Sequence, residues 1–329
     1  MKRAVLLAFF LLVRVLAAFP QEFSVATLNV DGLPEKFLWL KVNPNGPGKR
    51  YTPTIGARLV EGRFDFIAVQ ENFNFSEALF AALDSAYFHD EWQGGILGGS
   101  EFNPFRMRIS VDGLNGFWRQ GAVILQDESS ARWSRSCGKI KHANDALARK
   151  GFRRYDLILW ESQREVVVYN LHMDASDIRD ELTGADKRDQ KVRLRQWAEL
   201  RDHILEHLDS RPVIVLGDLN SFYAHDNVKS LFFDSLAESG KATAHDVYIE
   251  LECGGEFPVY QKGPVAEGQR DEWTARGESL DKILYINPVG GQALEPVSYR
   301  VHQEGFVRED GVTPLGDHYP VSATFRFVQ

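Results

Sequence analysis

The sequence predicts an α/β (α+β) fold, in which β-sheets are covered by helices. Two observations indicate this class. Short runs rich in Val, Ile, Leu and Phe recur along the chain, and several end at turn formers such as Asp-Gly, Gly-Asp or Asn-Pro. Between them lie segments with apolar residues at helical spacing. At 329 residues, with 44% hydrophobic and 26% charged residues, the chain has ordinary globular composition and length for one large core.

The elements follow from these patterns in order. The predicted strands cover residues 23–30, 66–70, 121–125, 155–160, 166–171, 213–216, 282–286 and 321–328. The predicted helices cover residues 54–61, 76–83 and 187–208, and the last has Val192, Trp197, Leu200, Ile204 and Leu208 on one face. Residues 33–50 and the glycine-rich residues 93–118 follow neither pattern, so we predict loops beside the active site there.

The N-terminus has the pattern of a secretory signal peptide. Lys2 and Arg3 precede an apolar run at residues 4–13, and Ala17 and Ala18 supply the small residues of a cleavage region. The run is shorter than the roughly 20 residues that span a bilayer. The sequence therefore predicts a signal peptide at residues 1–18, one domain at residues 22–329, and a secreted or periplasmic protein. An uncleaved anchor or a buried helix is the alternative.

Charge and cysteine content bear on partners and redox state. The net charge is -8, and an acidic surface repels nucleic acid unless basic residues cluster locally. Two such clusters stand at residues 149–154 and 187–195, where a solvated helix face or loop is the simpler interpretation. Cys137 and Cys253 are the only cysteines. Export would permit a disulfide between them, and two separate thiols are the alternative.

Polar side chains stand at the ends of predicted strands. Glu71 follows residues 66–70 in VQENF, and Asn29 ends the first strand in ATLNVDG. Their oxygens suit Mg²⁺ or another divalent cation, because hard cations prefer oxygen ligands. Taken alone, a glutamate in this position is often exposed, and Asn before Val-Asp-Gly is a turn former.

A second pair follows the strand at residues 213–216. Asp218 and Asn220 in VIVLGDLNS lie at i and i+2, so in extended geometry both side chains point to one face. Asp218 could orient or deprotonate a water, while Asn220 could hold a phosphate. An Asp-Asn turn is the simpler alternative.

Two histidines complete the set of polar motifs. His172 ends a predicted strand in YNLHMD, and His318 follows Asp317 in LGDHYPVSATF. An imidazole serves as general acid or base near neutral pH, and a carboxylate partner fixes its tautomer. Asp281, in SLDKILYIN, could be such a carboxylate or a surface acid at a strand start. A lone histidine at a strand end is often a satisfied structural group.

In this order, the motifs resemble those of the endonuclease/exonuclease/phosphatase superfamily, the deoxyribonuclease I-like enzymes. The resemblance implies two packed, mostly antiparallel β-sheets flanked by helices, a four-layer sandwich. It also implies that Asp281 is the partner of His318 and that His172 contacts the phosphate or assists the leaving group. The implied catalytic residues are His172, Asp218, Asn220, Asp281 and His318, and the implied metal site contains Asn29, Glu71 and Asp317.

One further segment indicates the substrate. Within CGKIKHANDALARKGFRRYDL, the groups Cys137-Gly138, Asp145-Ala146-Leu147 and Lys150-Gly151-Phe152 resemble bacterial sphingomyelinases. This resemblance implies phospholipase C-type cleavage of sphingomyelin to ceramide and phosphocholine, with peripheral membrane contact, and we expect a monomer. The alternatives are a deoxyribonuclease-like endonuclease acting on nucleic acid, a soluble phosphoesterase, and a non-catalytic surface-binding module.

Two features depart from the sphingomyelinase pattern. That family carries a membrane-entering aromatic hairpin before the last histidine motif, but residues 288–315 contain only Tyr299 and Phe306 as aromatics. The remaining candidates for lipid contact, which could equally cover the core, are Phe37, Trp39 and Leu40. In addition, Arg119-Gln120-Gly121 replaces an acidic-Gly-Gly pattern, so the expected carboxylate partner of His172 is missing.

Overall fold

The computed structural model describes residues 22–37, 40–41, 43–91, 111–137, 148–175, 186–223, 226–258 and 279–328. The predicted signal peptide lies outside these residues. Within them, two six-stranded sheets pack face to face and helices cover both outer faces. The predicted four-layer arrangement is therefore confirmed. Among the described residues, no helix is both long and apolar enough to cross a membrane.

The first sheet combines strands from both ends of the chain. Its strands are β1 (Glu22–Asn29), β4 (Phe66–Gln70), β5 (Tyr87–His89), β6 (Asn115–Arg119), β13 (Ala293–Val301) and β14 (Val321–Val328). They lie in the order β13-β14-β1-β4-β6-β5. The β1–β4 pair is parallel and the other pairs are antiparallel. A separate small hairpin joins β2 (Lys36–Phe37) to β3 (Leu40–Lys41).

The second sheet contains strands from the middle of the chain. Its strands are β7 (Val123–Arg132), β8 (Gly151–Leu159), β9 (Glu165–His172), β10 (Val213–Asp218), β11 (Ala242–Asp246) and β12 (Asp281–Pro288). They lie in the order β11-β12-β10-β9-β8-β7. Only the β9–β10 pair is parallel. The carboxyl ends of β1 and β4 in one sheet, and of β9 and β10 in the other, carry the predicted site residues.

Helices flank the sandwich on both sides. Against the first sheet lie α1 (Gly48–Gly62) and α2 (Ser76–Leu83), and against the second lies α3 (Asp186–Glu206). A π-helical segment (Lys229–Asp234) continues into α4 (Ser235–Glu238), and α5 (Val247–Glu252) precedes β12. Trp197 and Leu200 of α3 are fully buried, as their helical spacing predicted.

The alternation of side chains along each strand builds the three apolar layers. In β9, Val166 and Val168 face the other sheet, whereas Val167 and Tyr169 face the helices. In β1, Val25 faces inward. Because these strands are covered on both faces, they read as nearly continuous apolar runs, which explains why the sequence revealed them.

A buried polar layer lies between the sheets next to the predicted site. Gln70 Nε2 donates hydrogen bonds to Asn170 Oδ1 on the other sheet, at 2.7 Å, and to Thr27 Oγ1, at 3.1 Å. Asn170 Nδ2 in turn donates to the backbone oxygens of Val69, at 3.0 Å, and Asn115, at 2.9 Å. These bonds satisfy groups that would otherwise be costly to bury, and they tie the two sheets together.

The structure differs from the sequence prediction mainly in the glycine-rich region. Residues 93–118 were predicted to form a loop, but their last four residues belong to β6. Gly116 lies against the ring of Tyr155, where a Cβ atom would approach the ring to 2.7 Å, so this glycine permits close packing of the sheets. Strands β2, β3, β5, β11 and β13 were missed as well. The longest of these, β13, contains Pro296 at a bulge and faces solvent along much of its length.

Candidate active site

Strand ends from both sheets bring the predicted site residues together. Asp218, at the end of β10, has His172 of β9 and Asp281 of β12 as its direct neighbours across the second sheet. Asn29 ends β1, and its backbone neighbour across the first sheet is Gln70, directly before Glu71. His318 lies three residues before β14. The rigid sheets thus position these groups from independent parts of the chain.

Asp218 is the centre of the site. Its Oδ2 atom accepts a hydrogen bond from Asn29 Nδ2 at 3.1 Å and lies 3.3 Å from His172 Nε2 and 3.8 Å from His318 Nε2. Burial alone would raise the pKa of Asp218, but the imidazoles of His172 and His318 outweigh burial and hold this pKa well below its usual range. Asp218 is therefore ionised at neutral pH.

His318 and Asp281 form a tightly bonded pair. His318 Nδ1 lies 2.6 Å from Asp281 Oδ2, a short distance typical of charge-assisted hydrogen bonds. Burial would lower the pKa of His318, but the carboxylate of Asp281 outweighs it and raises this pKa well above its usual range. His318 thus carries a proton at neutral pH and directs Nε2 toward Asp218.

Carboxylates on the first sheet form the acidic side of the site, and one of them was not predicted. Asp31, two residues beyond Asn29, is buried. Burial, together with the negative charges of Asp317 and Glu71, raises the pKa of Asp31 to about 8. Asn29 Oδ1 accepts the backbone N–H of Asp31 at 3.0 Å, while Asn29 Nδ2 donates to Glu71 Oε1 at 3.2 Å. Asn29 therefore fixes the carboxylate of Glu71 and the backbone of Asp31.

This acidic side fits a divalent cation, whereas the histidine side fits proton transfer. Oxygen donors that repel one another in a half-buried place are the ligand set that Mg²⁺ prefers. Asp218, Asp281 and His318 also offer three ligand atoms within 4.8 Å of one another. However, His318 and Asp281 already bond each other, and this arrangement fits proton transfer. The metal roles of Asn29, Glu71 and Asp317 stay predictions.

Several site residues adopt an unusual backbone conformation. Among the described residues, five non-glycine residues have positive φ, and three belong to the site: Asp31, Glu71 and Asn220, with φ of 50°, 56° and 46°. Such conformations cost free energy and cluster at functional sites. Gly32 fits beside this backbone because a Cβ atom there would lie 2.3 Å from the carbonyl oxygen of Glu71.

Asn220 is oriented differently from the sequence argument. Extended geometry was expected to point Asn220 and Asp218 to one face, but β10 ends at Asp218 and the chain turns there. The side-chain amide of Asn220 instead donates to the carbonyl oxygen of Met173 at 3.1 Å, and its backbone N–H donates to Asp218 Oδ1 at 3.1 Å. Asn220 therefore fixes the carboxylate of Asp218, and its contact with phosphate stays a prediction.

Lys150 is a further site residue that the motif analysis did not assign. Its Nζ atom is buried and donates to the carbonyl oxygen of Met173 at 2.9 Å, and its charge contributes to the low pKa of Asp218. The sequence analysis had placed Lys150 in a basic cluster. The structure divides that cluster, because Arg153 pairs with buried Asp90 at 2.7 Å and Arg154 pairs with Asp156 at 2.9 Å.

The second basic cluster does lie on the surface. The α3 residues Lys187, Arg188, Lys191 and Arg195 are exposed, whereas Arg193 is buried and pairs with Asp226 at 3.1 Å. Gln196 of the same helix donates to Asp174 Oδ1 at 2.8 Å, which holds α3 beside the loop that follows His172.

Arg119-Gln120-Gly121, which replaces the acidic-Gly-Gly pattern, lies away from His172. These residues end β6 and begin the turn to β7, at the opposite end of the sheet from His172. Gln120 Nε2 donates there to the carbonyl oxygens of Asp84 and Tyr87, at 3.0 and 3.1 Å. The Nδ1 atom of His172 is buried and has no hydrogen-bond partner within the described part of the chain.

Other expectations have simple outcomes. Cys137 and Cys253 are not joined by a disulfide. The two aromatic residues of segment 288–315 are not available for lipid contact in the same way as an exposed hairpin: Phe306 is buried, and Tyr299 packs against Tyr248. The side chains of Phe37, Trp39 and Leu40 lie outside the described part of the structure.

Comparison with solved structures agrees with this architecture. An endonuclease/exonuclease/phosphatase family protein from Bacteroides thetaiotaomicron matches with a TM-score of 0.61 and 16% identity, covering 94% of this chain and 100% of that one. Humanised D. rerio TDP2 matches with a TM-score of 0.59 and 14% identity, covering 93% and 99%. The human Nocturnin catalytic domain with bound sulfate matches with a TM-score of 0.57 and 17% identity, covering 94% and 96%.

These identities are low, so the comparisons establish the fold, and the chemistry depends on the site itself. No family model matches the sequence, and no curated protein matches it. The similar structures nevertheless agree with the fold that the motif resemblance implied. The chain therefore has the fold of the endonuclease/exonuclease/phosphatase, or deoxyribonuclease I-like, superfamily.

Proposed function

We propose that the chain is a divalent-cation-dependent phosphoric-diester hydrolase. The observation that carries this proposal is the position of ionised Asp218, whose Oδ2 lies 3.3 Å from His172 Nε2 and 3.8 Å from His318 Nε2. Hydrolysis of a phosphodiester needs a group that aligns water, a proton donor and a means of neutralising phosphate charge. This site provides candidates for each.

The residues divide these tasks by charge. Asp31, Glu71 and Asp317 would hold the cation, while Asn29 donates to the carboxylate of Glu71 and accepts the backbone N–H of Asp31. When bound, a divalent cation neutralises phosphate charge and lowers the pKa of a coordinated water.

On the histidine side, Asp218 accepts a hydrogen bond from the attacking water and aligns it. His318, kept protonated by Asp281, donates a proton from Nε2 to a phosphate or leaving oxygen. His172 Nε2 also faces Asp218, so it can bind the phosphate on the other side of this carboxylate.

We further propose that the substrate is a phospholipid, with sphingomyelin as the first candidate. The support is Lys150, because it belongs to the segment with sphingomyelinase resemblance and lies buried beside the site. An ammonium group in this low-dielectric position can stabilise the negative charge that builds up on the phosphoryl group. Cleavage would release ceramide and phosphocholine.

The test is phosphocholine release from sphingomyelin liposomes with Mg²⁺, compared with EDTA, by wild type and His318→Ala. We expect release that requires the cation and is lost in the variant. His245→Ala is the matched control, since His245 lies on β11 and stacks on Tyr285 at 4.9 Å between ring centroids. Folded wild-type protein that releases no phosphocholine would contradict the sphingomyelinase proposal.

A deoxyribonuclease-like activity is the second candidate, supported by the exposed basic face of α3. One of the similar structures is described as D. rerio TDP2 in complex with a single-stranded DNA product. Plasmid nicking and single-stranded DNA cleavage test this candidate. Cleavage that weakens steeply with salt and with Lys191→Glu, while sphingomyelin stays intact, would favour it. Inactivity on lipid, nucleic acid and soluble phosphodiesters alike would leave the surface-binding module.

We also propose export through the predicted signal peptide. The support is the basic start, the short apolar run and the small residues at Ala17 and Ala18. Mass spectrometry of protein expressed with its full N-terminus tests this proposal. We expect a mature chain that begins directly after residue 18, and an intact N-terminus in membrane fractions would contradict cleavage.

A further inference from the structure

Asn72 directly follows the proposed cation ligand Glu71 and is held by hydrogen bonds on three sides. It is buried, with 4% of its surface exposed. Its backbone N–H donates to the carbonyl oxygen of Gly113 at 2.9 Å, and its side-chain amide donates to Asn115 Oδ1 at 2.9 Å. Its carbonyl oxygen accepts a hydrogen bond from Ser76 Oγ at 3.1 Å. These bonds anchor the chain directly beyond Glu71.

The side-chain bond of Asn72 belongs to a longer chain of hydrogen bonds. Asn115 Nδ2 donates to Asp90 Oδ1. An ionised carboxylate only accepts hydrogen bonds, so the amide nitrogen of Asn115 must face Asp90 and its oxygen must face Asn72. That oxygen also only accepts, so Asn72 must present its own amide nitrogen. The carboxylate of Asp90 therefore sets the orientation of both amides.

Asp90 is itself fixed from the second sheet. Arg153 and Tyr155 lie on the face of β8 that is turned toward the first sheet. Arg153 Nη1 donates to Asp90 Oδ2 at 2.7 Å, and the Tyr155 hydroxyl donates to the same oxygen at 2.5 Å. The guanidinium of Arg153 also donates twice to Asp112, at 3.0 Å in both bonds. The chain of bonds thus begins on the second sheet and ends beside Glu71.

The backbone at the end of this chain is strained. Glu71 has a positive φ of 56°, a conformation that persists only where the surrounding structure fixes it. On one side the N–H of Gly32 donates to the carbonyl oxygen of Glu71 at 3.1 Å. On the other side Asn72 is anchored as described. Loosening Asn72 would allow the backbone of Glu71 to relax and its carboxylate to move.

We propose that Asn72 and Asn115 are positioning residues that hold the carboxylate of Glu71 in place for the divalent cation. Asp90 and Arg153 fix the orientation of the two amides. This role rests on the proposed function, in which Glu71 binds the cation. Groups that support a metal ligand without being ligands typically change metal affinity by about 10–100-fold when they are removed. The expected effect is therefore on cation affinity.

The test is calorimetric titration of the full chain with Mg²⁺ in the absence of substrate. We expect Asn72→Ala and Asn115→Ala each to bind Mg²⁺ about tenfold more weakly than wild type. The double variant should bind no more weakly than Asn72→Ala, because both side chains act through one chain of bonds. Asn115→Ala leaves the backbone bonds of Asn72 in place, so it provides the answer if Asn72→Ala does not fold.

Ser24→Ala is the matched control. Ser24 Oγ donates to Asp65 Oδ2 at 2.8 Å, at the start of β1, whereas Asn29 of the site ends that strand. This variant also removes a hydrogen bond between the first and second strands of the sheet, but far from Glu71. We expect it to bind Mg²⁺ like wild type even where its melting temperature is lower.

Kinetics separate positioning from a general loss of structure. Asn72→Ala should need about tenfold more Mg²⁺ for its half-maximal rate and regain most of kcat at saturating Mg²⁺. A partly unfolded protein would instead lose kcat at every Mg²⁺ concentration. Wild type and both single variants with equal Mg²⁺ affinity would overturn the positioning role and leave the proposed function standing. Wild type that binds no Mg²⁺ would contradict the proposed function, and the positioning role with it.

Discussion

Gln70 Nε2 on the first sheet donates a 2.7 Å hydrogen bond to Asn170 Oδ1 on the second. Gln70 directly precedes Glu71, and Asn170 lies two residues before His172, so this bond joins the sheets beneath residues from both halves of the site. Both side chains are fully buried. The bond therefore connects the stability of the sandwich with the geometry of the site.

Replacing Gln70 with alanine should destabilise the fold by about 1–3 kcal/mol, because Asn170 and Thr27 would keep buried polar groups without their partner. Urea unfolding of wild type and variant measures this change. Gln120→Ala is the matched control, since Gln120 makes its bonds in the turn at the far end of the first sheet. Equal unfolding free energies for Gln70→Ala and Gln120→Ala would contradict the importance of this layer.

Asp281→Asn should change the pH dependence of activity as well as its size. The negative charge of Asp281 raises the pKa of His318, so its removal lowers this pKa and His318 loses its proton at lower pH. We expect kcat to fall about 10²–10⁴-fold and its alkaline limb to move to lower pH. Profiles of kcat against pH check this, with Asp234→Asn as control, because Asp234 pairs with Lys229 outside the site. An unmoved alkaline limb would exclude His318 as the proton donor.

Lys150→Met should lower kcat about 10²–10³-fold if its ammonium group stabilises the transition state. Methionine retains most of the apolar stem, so the packing around this position should be preserved. Kinetics should be measured together with the melting temperature. A stable variant with unchanged kcat would show that Lys150 only supports the carbonyl of Met173.

Asp31→Asn tests the acidic side without a substrate. A folded pKa of about 8 for Asp31, above that of an unfolded aspartate, means that the native state binds more protons between the two values. The contribution of Asp31 to the stability of cation-free protein should therefore be greatest at low pH and fall as pH rises toward 8. Asp31→Asn should flatten this dependence, and Mg²⁺ should do so in wild type. Melting temperatures across this range, with and without EDTA, provide the check.

The site was predictable where polar residues directly follow buried strands. Asn29, Glu71, His172 and Asp218 each stand at the end of an apolar run, and both flanking layers make these runs continuous in sequence. Neighbouring parallel strands end at the same edge, so their ends had to converge. Packing on both faces therefore explains why one sequence revealed much of the site.

Residues whose position depends on long-range packing were not predictable. Asp31 reads locally as a turn, and only the approach of Glu71 and Asp317 gives it a functional environment. Lys150 reads as one of several basic residues, yet its neighbours along the chain form separate ion pairs. Strand β6 was missed because Gly116 occupies the position where the two sheets pack closely. A glycine adds no apolar side chain, so the sequence shows no continuous apolar run there.

The site is divided between the two sheets: Asn29, Glu71 and His318 come from the first, and His172, Asp218 and Asp281 from the second. A sliding movement of one sheet over the other by about one ångström would separate His318 from Asp281 while leaving every strand ladder intact. We therefore expect activity to depend on the relative position of the two sheets. Low concentrations of denaturant should therefore abolish activity before the far-UV circular dichroism signal of the strands and helices changes.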